Sequence, residues 1–392
     1  MRVLLGQTGA PTAVVNRSVA GFLRGAGPHE VMVARGGPDA LVAGRFEKLA
    51  DVGFPPGVER DGGSWLGGGR RATSPADVDA IVTELERHCV DGIGLIGGNG
   101  TMALLAAVAG RARERAVGLR VVGIPKTIDN DLLGVDHAPG FASAARYLTT
   151  VLPDMARDHR AMTSVEPVRI VETMGRAAGW LALAATLPRD PEHPVHRVFT
   201  PEQAFDRDGF LRDVRALVGR HGRALVVVSE GYAPELTDAP VHATNHTTLI
   251  TGGVARELAA MVASELALPA RGEVLGVAQR CASALASGVD AVEAELVGYE
   301  AARLLIGSGS RVCGGGPDGA VMVGIERVPG AEYAVTYPLV PLNDVIGLTR
   351  TVPDRWRTSE PLDLRSFHDW LTPLVCPVEP VAHTLTVPTE ER

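Results

Sequence analysis

Cysteine is scarce in this chain, and the few cysteines present lack the spacing of a structural site. The four are Cys89, Cys281, Cys313 and Cys376. They form neither the closely paired pattern of a metal site nor the dense pattern of a disulfide framework. We therefore expect small buried thiols in a reducing compartment.

Basic residues and long apolar runs are also lacking. The 392-residue chain has 38 lysines and arginines against 46 aspartates and glutamates, a net charge of −8 at pH 7. Nucleic acid and acidic membrane surfaces both need a basic face, so we expect neither as a partner. No stretch approaches the roughly 18 apolar residues of a membrane span, and the apolar start at residues 1–5 is too short for a signal peptide. The expected location is cytoplasmic, with any anionic substrate held by local positive charge.

The length of the chain predicts more than one folding unit. A chain of 392 residues is too long for one ordinary core and fits two domains with a cleft between them. Hydrophobic residues make up 45% of the chain, which is enough for large cores in a soluble protein. Ser74, Pro75 and Asp77 predict the start of a helix, with Ser74 as the N-cap of a capping box.

Two loops that follow short apolar runs contain the residues best suited to chemistry. Ile93–Ile96 precedes the glycine-rich segment 97–101, and Val121–Ile124 precedes the charged segment 125–131. Such runs predict buried parallel strands. Ligands of open α/β sheets bind beyond the carboxyl ends of such strands, so both loops are expected to face one cleft.

The glycine-rich loop predicts an anion site. Without a Cβ, the backbone N–H groups of glycines stay open to anionic oxygens, and the helix expected to begin at Thr101 adds its positive dipole end. The candidate donor-binding residues here are Gly98, Asn99, Gly100 and Thr101. On this loop alone, a purely packing role for the glycines fits the pattern equally well.

The charged loop predicts proton and metal chemistry. Asp129 and Asp131 lie two residues apart, with Lys126 and Thr127 just before them. One turn thus offers a carboxylate base, a second carboxylate for Mg²⁺ or orientation, a cation and a hydroxyl. A solvated turn is the alternative, because Asp-Asn-Asp is favourable in turns. A lysine and two aspartates directly after a buried strand favour the functional interpretation.

Further charged residues follow a glycine run or a predicted strand. Arg70 comes after three glycines, Arg176 after a strand at Val168–Val171, and Glu230 after a strand at Ala224–Val228. An arginine fork suits phosphate oxygens better than a lysine does. Exposed arginines and a glutamate at a strand end are also commonly just solvated.

Four ordered segments resemble the signature segments of the phosphofructokinases. They are Pro125-Lys-Thr-Ile-Asp-Asn-Asp131, Met174-Gly-Arg-Ala-Ala-Gly179, Ser229-Glu-Gly231 and Gln279-Arg280. Residues 7–16 and 279–283 look most like the pyrophosphate-dependent 6-phosphofructokinase branch. The resemblance extends from about residue 2 to 306, and more weakly to about 375.

This resemblance implies an α/β fold of two Rossmann-like three-layer αβα domains with an interdomain active-site cleft. Residues 1–140 would form the donor phosphate-binding domain, rejoined by about 281–310. Residues 141–280 would form the sugar-phosphate-binding domain, and 311–392 a C-terminal extension packing on both. The family also implies a homodimer or homotetramer whose sugar-phosphate pocket borrows basic residues from a neighbour, and Arg169 is a candidate for that role.

The reaction implied by the resemblance is phosphoryl transfer from pyrophosphate to the 1-hydroxyl of fructose 6-phosphate, with Mg²⁺ as cofactor. The implied catalytic residues are Asp129 as general base, Arg176, Lys126 and Thr127. The implied donor-binding residues are Gly9, Arg70, Gly98, Asn99, Gly100, Thr101 and Lys126. The implied metal-binding residues are Asn99 and Asp131. The implied sugar-phosphate residues are Thr127, Ile128, Asp129, Met174, Gly175, Arg176, Glu230 and Arg280.

Residues at four positions leave the identities of the phosphoryl donor and of the acceptor sugar open. Lys126 matches the pyrophosphate enzymes of the family, whereas Gly100 matches the ATP enzymes. Asn99 stands where many members have aspartate, so water and the donor itself would help to hold Mg²⁺. Val277 stands where many members have a histidine that touches the acceptor sugar. ATP as donor, or another ketose phosphate such as sedoheptulose 7-phosphate as acceptor, is therefore an alternative.

Two other classes of protein are alternatives to an enzyme of this family. A non-catalytic phosphometabolite-binding protein would keep the cleft and lose transfer, but Lys126, Asp129, Asp131 and Arg176 occur together. A dinucleotide-dependent oxidoreductase would need a Gly-x-Gly-x-x-Gly motif after the first strand, and this chain lacks it there. His137 has no catalytic partner nearby in sequence, so a structural role is expected for it.

Overall fold

The computed structural model describes residues 1–187, 194–237, 252–307, 319–330, 332–357 and 364–375. The strands are β1 (Arg2–Gln7), β2 (Glu30–Ala34), β3 (Phe46–Lys48), β4 (Gly92–Gly97), β5 (Arg120–Pro125), β6 (Val168–Thr173), β7 (Arg197–Phe199), β8 (Ala224–Ser229), β9 (Ala270–Val274), β10 (Val321–Val323), β11 (Glu326–Arg327), β12 (Val335–Thr336) and β13 (Leu339–Pro341). The helices are α1 (Val15–Ala26), α2 (Gly37–Val42), α3 (Leu49–Val52), α4 (Pro75–Arg87), α5 (Asn99–Glu114), α6 (Phe141–Ala161), α7 (Trp180–Ala184), α8 (Arg207–His221), α9 (Val254–Leu266), α10 (Ala278–Cys281), α11 (Gly288–Ile306) and α12 (Arg365–Val375).

The first sheet has seven strands in the order β13-β10-β5-β4-β1-β2-β3. The five inner strands run parallel, and the two edge strands, β3 and β13, pair antiparallel with their neighbours. The middle strands are apolar on both faces because helices cover both sides, as expected for a parallel sheet. The carboxyl ends of β1, β4 and β5 therefore lie together at one edge.

The second sheet has four parallel strands in the order β7-β8-β6-β9. β6 and β8 are fully buried, and the apolar residues on the two sides of this sheet fall into two separate clusters. A third cluster surrounds the first sheet. The prediction of two Rossmann-like α/β units is confirmed.

The C-terminal part of the chain contributes strands to the first sheet. β10 pairs in parallel with β5, and β13 pairs antiparallel with β10. β11 and β12 form a small antiparallel ladder of their own. Residues 311–392 were expected to pack on the domains as an extension. The domain boundaries at residues 140, 280 and 310 stay predictions.

Helices α1 and α11 pack on the first sheet in direct backbone contact. A Cβ at Gly21 would lie 1.8 Å from the carbonyl oxygen of Glu295, and one at Gly298 would lie 2.1 Å from that of Ser18. No side chain fits in such a space, so glycine is required at both crossing points. This contact joins residues 15–26 to residues 288–306 within one unit.

The capping box predicted for α4 is present, and its removal gives a first testable expectation. Ser74 Oγ accepts from the backbone N–H of Asp77, and the Asp77 carboxylate accepts from the backbone N–H of Ser74. We expect Ser74→Ala to lower the free energy of unfolding by about 1 kcal/mol, measured by urea denaturation. Ser264→Ala, at an exposed site on α9, is the control and should change it by less than about 0.5 kcal/mol. Equal effects of the two substitutions would show that the cap has no special contribution.

Two expectations about individual residues are wrong. Cys89 and Cys281 are exposed rather than buried, because Cys89 lies in the turn after α4 with a left-handed φ of 53° and Cys281 ends α10. Cys313 and Cys376 lie outside the described residues. Arg169 is only 4% exposed and forms ion pairs with Glu166 and Asp158 of its own subunit, so it is not available to a neighbouring pocket.

His137 has the structural role expected for it. Its side chain is fully buried, between the carboxylates of Asp136 and Glu293.

In the part of the chain that the structure describes, no helix has the length and apolarity needed to cross a membrane.

Candidate active site

The charged loop after β5 is held by hydrogen bonds to the glycine-rich loop and to the segment that follows it. The backbone N–H of Lys126 donates to the Gly97 carbonyl at 3.0 Å, and that of Thr127 donates to the Pro139 carbonyl at 3.1 Å. Thr127 Oγ1 accepts from the backbone N–H of Asp129 at 3.1 Å and donates to Asp131 Oδ1 at 3.2 Å. The threonine hydroxyl thus fixes the turn that presents Asp129.

Asn130 makes the turn possible between the two aspartates. Its φ is 54°, in the left-handed region where asparagine is among the few tolerated side chains. Its side-chain oxygen accepts from the backbone N–H of Ala138 at 2.9 Å. The buried asparagine therefore ties the loop to the segment leading into α6, and the two carboxylates on either side of it remain on the cleft side.

The loop after β1 approaches the same point. Gly9 forms an isolated bridge with Gly69, with N–H to O distances of 2.8 and 3.1 Å, which places Arg70 next to this loop. Gly9 has a φ of 81°, and a Cβ on it would lie 3.2 Å from Lys126 Nζ. Glycine is therefore needed where this loop passes the ammonium group.

The glycine-rich loop after β4 divides into open and buried positions. A Cβ at Gly100 would meet nothing within 4 Å, whereas one at Gly98 would approach the Lys126 carbonyl at 3.5 Å. Thr101 is buried, and its hydroxyl is hydrogen-bonded to that of Thr8. The buried Thr101 side chain thus orders the loop and does not lie at the surface of the cleft.

The second sheet supplies the opposite wall. Gly175 has a φ of 122°, and its carbonyl accepts from Ser229 Oγ. A Cβ at Gly231 would lie 2.0 Å from the Arg176 carbonyl oxygen. These close approaches bring Arg176 and Glu230 side by side at the ends of β6 and β8. The Met174 N–H donates to Gln279 Oε1 at 3.1 Å, which links this wall to the segment that contains Arg280.

Cations from both sheets surround Asp129. Its carboxyl group interacts electrostatically with Arg70 and Lys126 on the first sheet's side and with Arg176 on the second's. Arg70 also interacts with Arg280 and Glu230. Partial desolvation by the cleft walls, together with the charge of Arg176, lowers the pKa of Arg70.

Burial and neighbouring charges shift the pKa values of three groups here. Burial and the charge of Asp131 raise the pKa of Asp129 to about 6, although Arg176, Arg70 and Lys126 oppose the shift. Burial and Asp129 raise the pKa of Glu230 to about 7. Burial and Arg70 lower the pKa of Lys126 to about 8. Groups titrating near neutral pH in a cleft are suited to proton transfer.

The residues beside the donor loop fit a magnesium ion that is shared with a phosphate ligand. Asn99 Nδ2 donates to Asp131 Oδ2 at 3.0 Å, which leaves Asn99 Oδ1 buried without a partner. An orphaned amide oxygen beside a carboxylate can coordinate a hard cation. Among the described residues no group of three or more acidic, histidine or cysteine side chains could hold a metal. Mg²⁺ here would keep water and phosphate oxygens as further ligands.

Comparison with known proteins agrees with this geometry. A family model described as phosphofructokinase matches residues 2–305. The chain belongs to the phosphofructokinase family. Like other phosphofructokinases it is a phosphotransferase that uses pyrophosphate or ATP, and the expected resemblance to the pyrophosphate-dependent branch is confirmed.

Three known proteins are similar to this phosphofructokinase over nearly its full length. A sulfofructose kinase of Alkalicoccus urumqiensis is 34% identical over 379 residues, which is 96% of each chain. A pyrophosphate--fructose 6-phosphate 1-phosphotransferase of Rhodospirillum rubrum is 32% identical over an alignment of 404 positions, which covers 98% of this chain and 96% of the relative. The crystal structure of a pyrophosphate-dependent phosphofructokinase from Marinobacter aquaeolei is 26% identical, with a TM-score of 0.79, and the match covers 95% of this chain and 91% of that one.

The structure brings together most of the site residues predicted for this phosphofructokinase. Those that share one cleft are Gly9, Arg70, Gly98, Asn99, Gly100, Lys126, Thr127, Asp129, Asp131, Met174, Gly175, Arg176, Glu230 and Arg280. Ile128 has a buried side chain packed in the second unit's core, so only its backbone is near the cleft.

Sequence reasoning missed Gln279 and Asn130 as supports of the site. Gln279 is buried and accepts from the Met174 N–H, and its place beside Arg280 in a signature segment was the available signal. Asn130 stands between two aspartates in a turn, where a left-handed residue is commonly asparagine.

Proposed function

We propose that this enzyme transfers the terminal phosphoryl group of pyrophosphate to the 1-hydroxyl of fructose 6-phosphate. The products are fructose 1,6-bisphosphate and orthophosphate. The observation that supports the proposal is the meeting of one carboxylate, Asp129, with cations from both sheets. Phosphoryl transfer depends mainly on positioning and on stabilising charge around the transferred group, and this arrangement offers both.

In the proposed reaction, Asp129 accepts the proton of the 1-hydroxyl while the hydroxyl oxygen attacks the terminal phosphorus. The new oxygen–phosphorus bond forms as the bond to the bridging oxygen breaks, and orthophosphate leaves. Arg70 and Arg176 neutralise the charge that spreads over the transferred group. Lys126 and the N–H groups near Gly9 and Gly98 hold the donor. The Thr127 hydroxyl accepts a hydrogen bond from the backbone N–H of Asp129 and so keeps Asp129 in place.

The acceptor sugar would lie against the second sheet. Arg280 would bind its 6-phosphate, and Met174 and Gly175 would line the backbone of the pocket. Glu230, whose pKa of about 7 lets it either donate or accept, would bond a sugar hydroxyl. Enzymes of this family generally use Mg²⁺. Asn99 and Asp131 would hold the ion, which would neutralise charge on the donor oxygens when bound.

ATP is a second candidate donor, and one observation favours it. The space around Gly100 is open, since a Cβ there would meet nothing within 4 Å. A longer donor than pyrophosphate can therefore extend past this position. Against it stand the compact cationic pocket at Lys126 and the pyrophosphate-dependent names of several relatives.

A direct assay decides between the donors. Purified enzyme with Mg²⁺ and fructose 6-phosphate receives pyrophosphate or ATP, and fructose 1,6-bisphosphate is measured with coupled aldolase. We expect kcat/KM with pyrophosphate to exceed that with ATP by at least about tenfold, the equivalent of one lost favourable contact. The reverse ratio would establish ATP as the donor, and no product from any donor and ketose phosphate would favour a non-catalytic binding protein.

Gly100 gives a sharper test of donor choice. We expect Gly100→Asp to lower kcat/KM with ATP about tenfold or more and to change that with pyrophosphate by less than about threefold. The added carboxylate would repel the part of ATP that extends past this position. An acidic residue in the first turn of α5 is favourable for the helix, so folding is preserved.

Gly110→Asp is the matched control for this substitution. It adds the same charge further along α5, and a Cβ there also meets nothing within 4 Å. It should leave both donors unaffected. Equal losses with ATP and pyrophosphate in Gly100→Asp would contradict the idea that this position separates the two donors.

Sulfofructose is a second candidate acceptor. Val277, in the position where many family members have a sugar-contacting histidine, is 59% exposed just before α10, and the chain is 34% identical to a sulfofructose kinase over nearly its full length. A sulfonate has one negative charge where a phosphate has up to two, so it needs fewer cations. Rates of donor consumption with sulfofructose and with sedoheptulose 7-phosphate rank these acceptors against fructose 6-phosphate by kcat/KM.

A further inference from the structure

A segment from the C-terminal part of the chain lies directly behind the charged loop. Residues 350–352, which we call the strap, follow the last strand of the first sheet. The backbone N–H of Arg350 donates to the Asp131 carbonyl at 2.9 Å, and Arg350 Nη1 donates to the Asn130 carbonyl at 3.2 Å, a contact between residues 220 positions apart. The strap thus binds the carbonyl groups of the two residues that follow Asp129.

The other side of the strap is fixed to the second unit. The guanidinium of Arg350 lies 4.0 Å from the ring centroid of Trp180, and Trp180 Nε1 donates to the Arg350 carbonyl at 3.0 Å. Glu202 Oε1 accepts from the backbone N–H of Val352 at 2.9 Å and from that of Gly179 at 3.1 Å. The strap therefore connects the charged loop to the start of α7.

The guanidinium group of Arg350 makes a contact with the charged loop that an apolar side chain could not make. Its side chain is half-buried, and it forms no ion pair with any residue in the described ranges. An apolar side chain of similar volume could pack against Trp180 but could not donate to the Asn130 carbonyl. The guanidinium group therefore points to a role in the loop that it contacts.

We infer that Arg350 is a positioning residue for phosphoryl transfer. By holding the Asn130 carbonyl with its side chain and the Asp131 carbonyl with its backbone, it fixes the direction in which the preceding carboxylate, Asp129, points into the cleft. Its stacking on Trp180 sets the loop against the second unit. This inference rests on the proposed role of Asp129 as the base.

Removal and chemical rescue of the guanidinium test the inference. We expect Arg350→Ala to lower kcat by about 10- to 100-fold, since misplacing a reacting group by about 1 Å has effects of this size. The KM values for both substrates should change by less than about threefold, because the donor and sugar pockets are untouched. Guanidinium ion, added well below denaturing concentrations, should restore kcat saturably, whereas ammonium at the same ionic strength should not.

A matched control and a second variant keep the test decisive. Arg355→Ala removes an exposed arginine that also stacks on a tryptophan, Trp356 at 4.6 Å, and should change neither kcat nor the response to guanidinium. Arg350→Met preserves apolar packing on Trp180 if the alanine variant does not fold. An unchanged kcat in the folded variant overturns the inference. A loss that guanidinium does not restore also overturns it, because it would reflect packing alone.

A second measurement separates this inference from the proposed function. Hydrogen exchange of a peptide covering residues 125–138 reports the loop whether or not the enzyme turns over. We expect faster exchange in Arg350→Ala and slower exchange again with guanidinium. If wild-type enzyme makes no product, the proposed function fails while the exchange result still decides whether Arg350 orders the loop. If Asp129→Asn keeps full turnover, only the link from Arg350 to the base is lost.

Discussion

Asp129→Asn is expected to lower kcat by about 10²- to 10⁴-fold, with KM for the sugar phosphate and the donor nearly unchanged. The substitution removes the proposed base but preserves size. It should leave the loop in place, because the loop is held by the backbone N–H of Asp129 and by Thr127. Steady-state kinetics with both substrates varied measures the two effects separately.

The control for this variant is Asp344→Asn, which changes an exposed aspartate outside the cleft and should leave both constants unchanged. A variant at position 129 with wild-type kcat would remove Asp129 from the mechanism. A large rise in KM with kcat preserved would instead assign it to ground-state binding.

The pH dependence of the wild-type enzyme follows from the same carboxylate. The base must be ionised to accept a proton, and burial with the Asp131 charge raises the pKa of Asp129 to about 6. We expect kcat/KM to rise through about pH 6 and to fall again above about pH 8, where Lys126, which would hold the donor, loses its proton. Asp131→Asn removes one of the two causes, so the midpoint should move to lower pH. An acidic limb near pH 4, the ordinary value for aspartate, would contradict the buried environment of the group.

The parts of the site that sequence predicted are those fixed by local pattern. β4 and β5 are short apolar runs followed by glycine and by charge, so their strands, their shared edge and the loops after them could all be inferred. The capping box at Ser74 is likewise a local signal. These features depend on residues within a few positions of one another, and their structure follows from backbone geometry alone.

The parts that sequence missed depend on contacts across the chain. Arg350 reaches Asn130 from 220 residues away, and nothing in its own neighbourhood indicates a ligand. Thr101 was assigned to the donor, but its hydroxyl is used by Thr8, 93 residues earlier. A hairpin is expected around residues 320–337, but β10 at its start pairs in parallel with β5, about 200 residues earlier, and no local pattern indicates that partner.

One missed feature had a usable signal. Helix α11 begins at Gly288 with Ser287 as its N-cap, a start that the sequence analysis did not identify. Ser287 and Asp290 have the spacing that identified the cap of α4. Here the Asp290 carboxylate accepts from the backbone N–H groups of Gly140 and Ser143 instead, and so ties α11 to the start of α6.

A buried ionic cluster lies one turn further along α11. His137 Nε2 is 2.5 Å from Glu293 Oε2, and its Nδ1 is 3.1 Å from Asp136 Oδ1. Tyr333 OH donates to the other oxygen of Glu293, and Trp370 Nε1 donates to Asp136 at 2.8 Å. The cluster joins the segment after the charged loop to α11 and to the C-terminal helix α12.

Glu293→Gln is expected to lower the free energy of unfolding by about 3–5 kcal/mol, the usual cost of breaking a buried ion pair. The glutamine leaves the imidazolium of His137 with one carboxylate in a site that excludes water. Urea denaturation followed by tryptophan fluorescence is a suitable measurement, since Trp370 lies in the cluster. Glu295→Gln, two residues along the same helix, breaks surface pairs with Arg17 and Arg24 and should cost only about 0–1 kcal/mol.

The pKa of His137 predicts how the free energy of unfolding changes with pH. Burial alone would lower the pKa of His137, but Glu293 and Asp136 outweigh it and raise the pKa to about 9. A group with a raised pKa contributes fully below its unfolded value, near 6.5, and the contribution is lost as the pH rises to about 9. Wild-type protein should therefore lose stability over this range. In Glu293→Gln the pKa of His137 falls, so the loss over the same range should be smaller. An identical slope in both proteins would mean that His137 is neutral in the folded state.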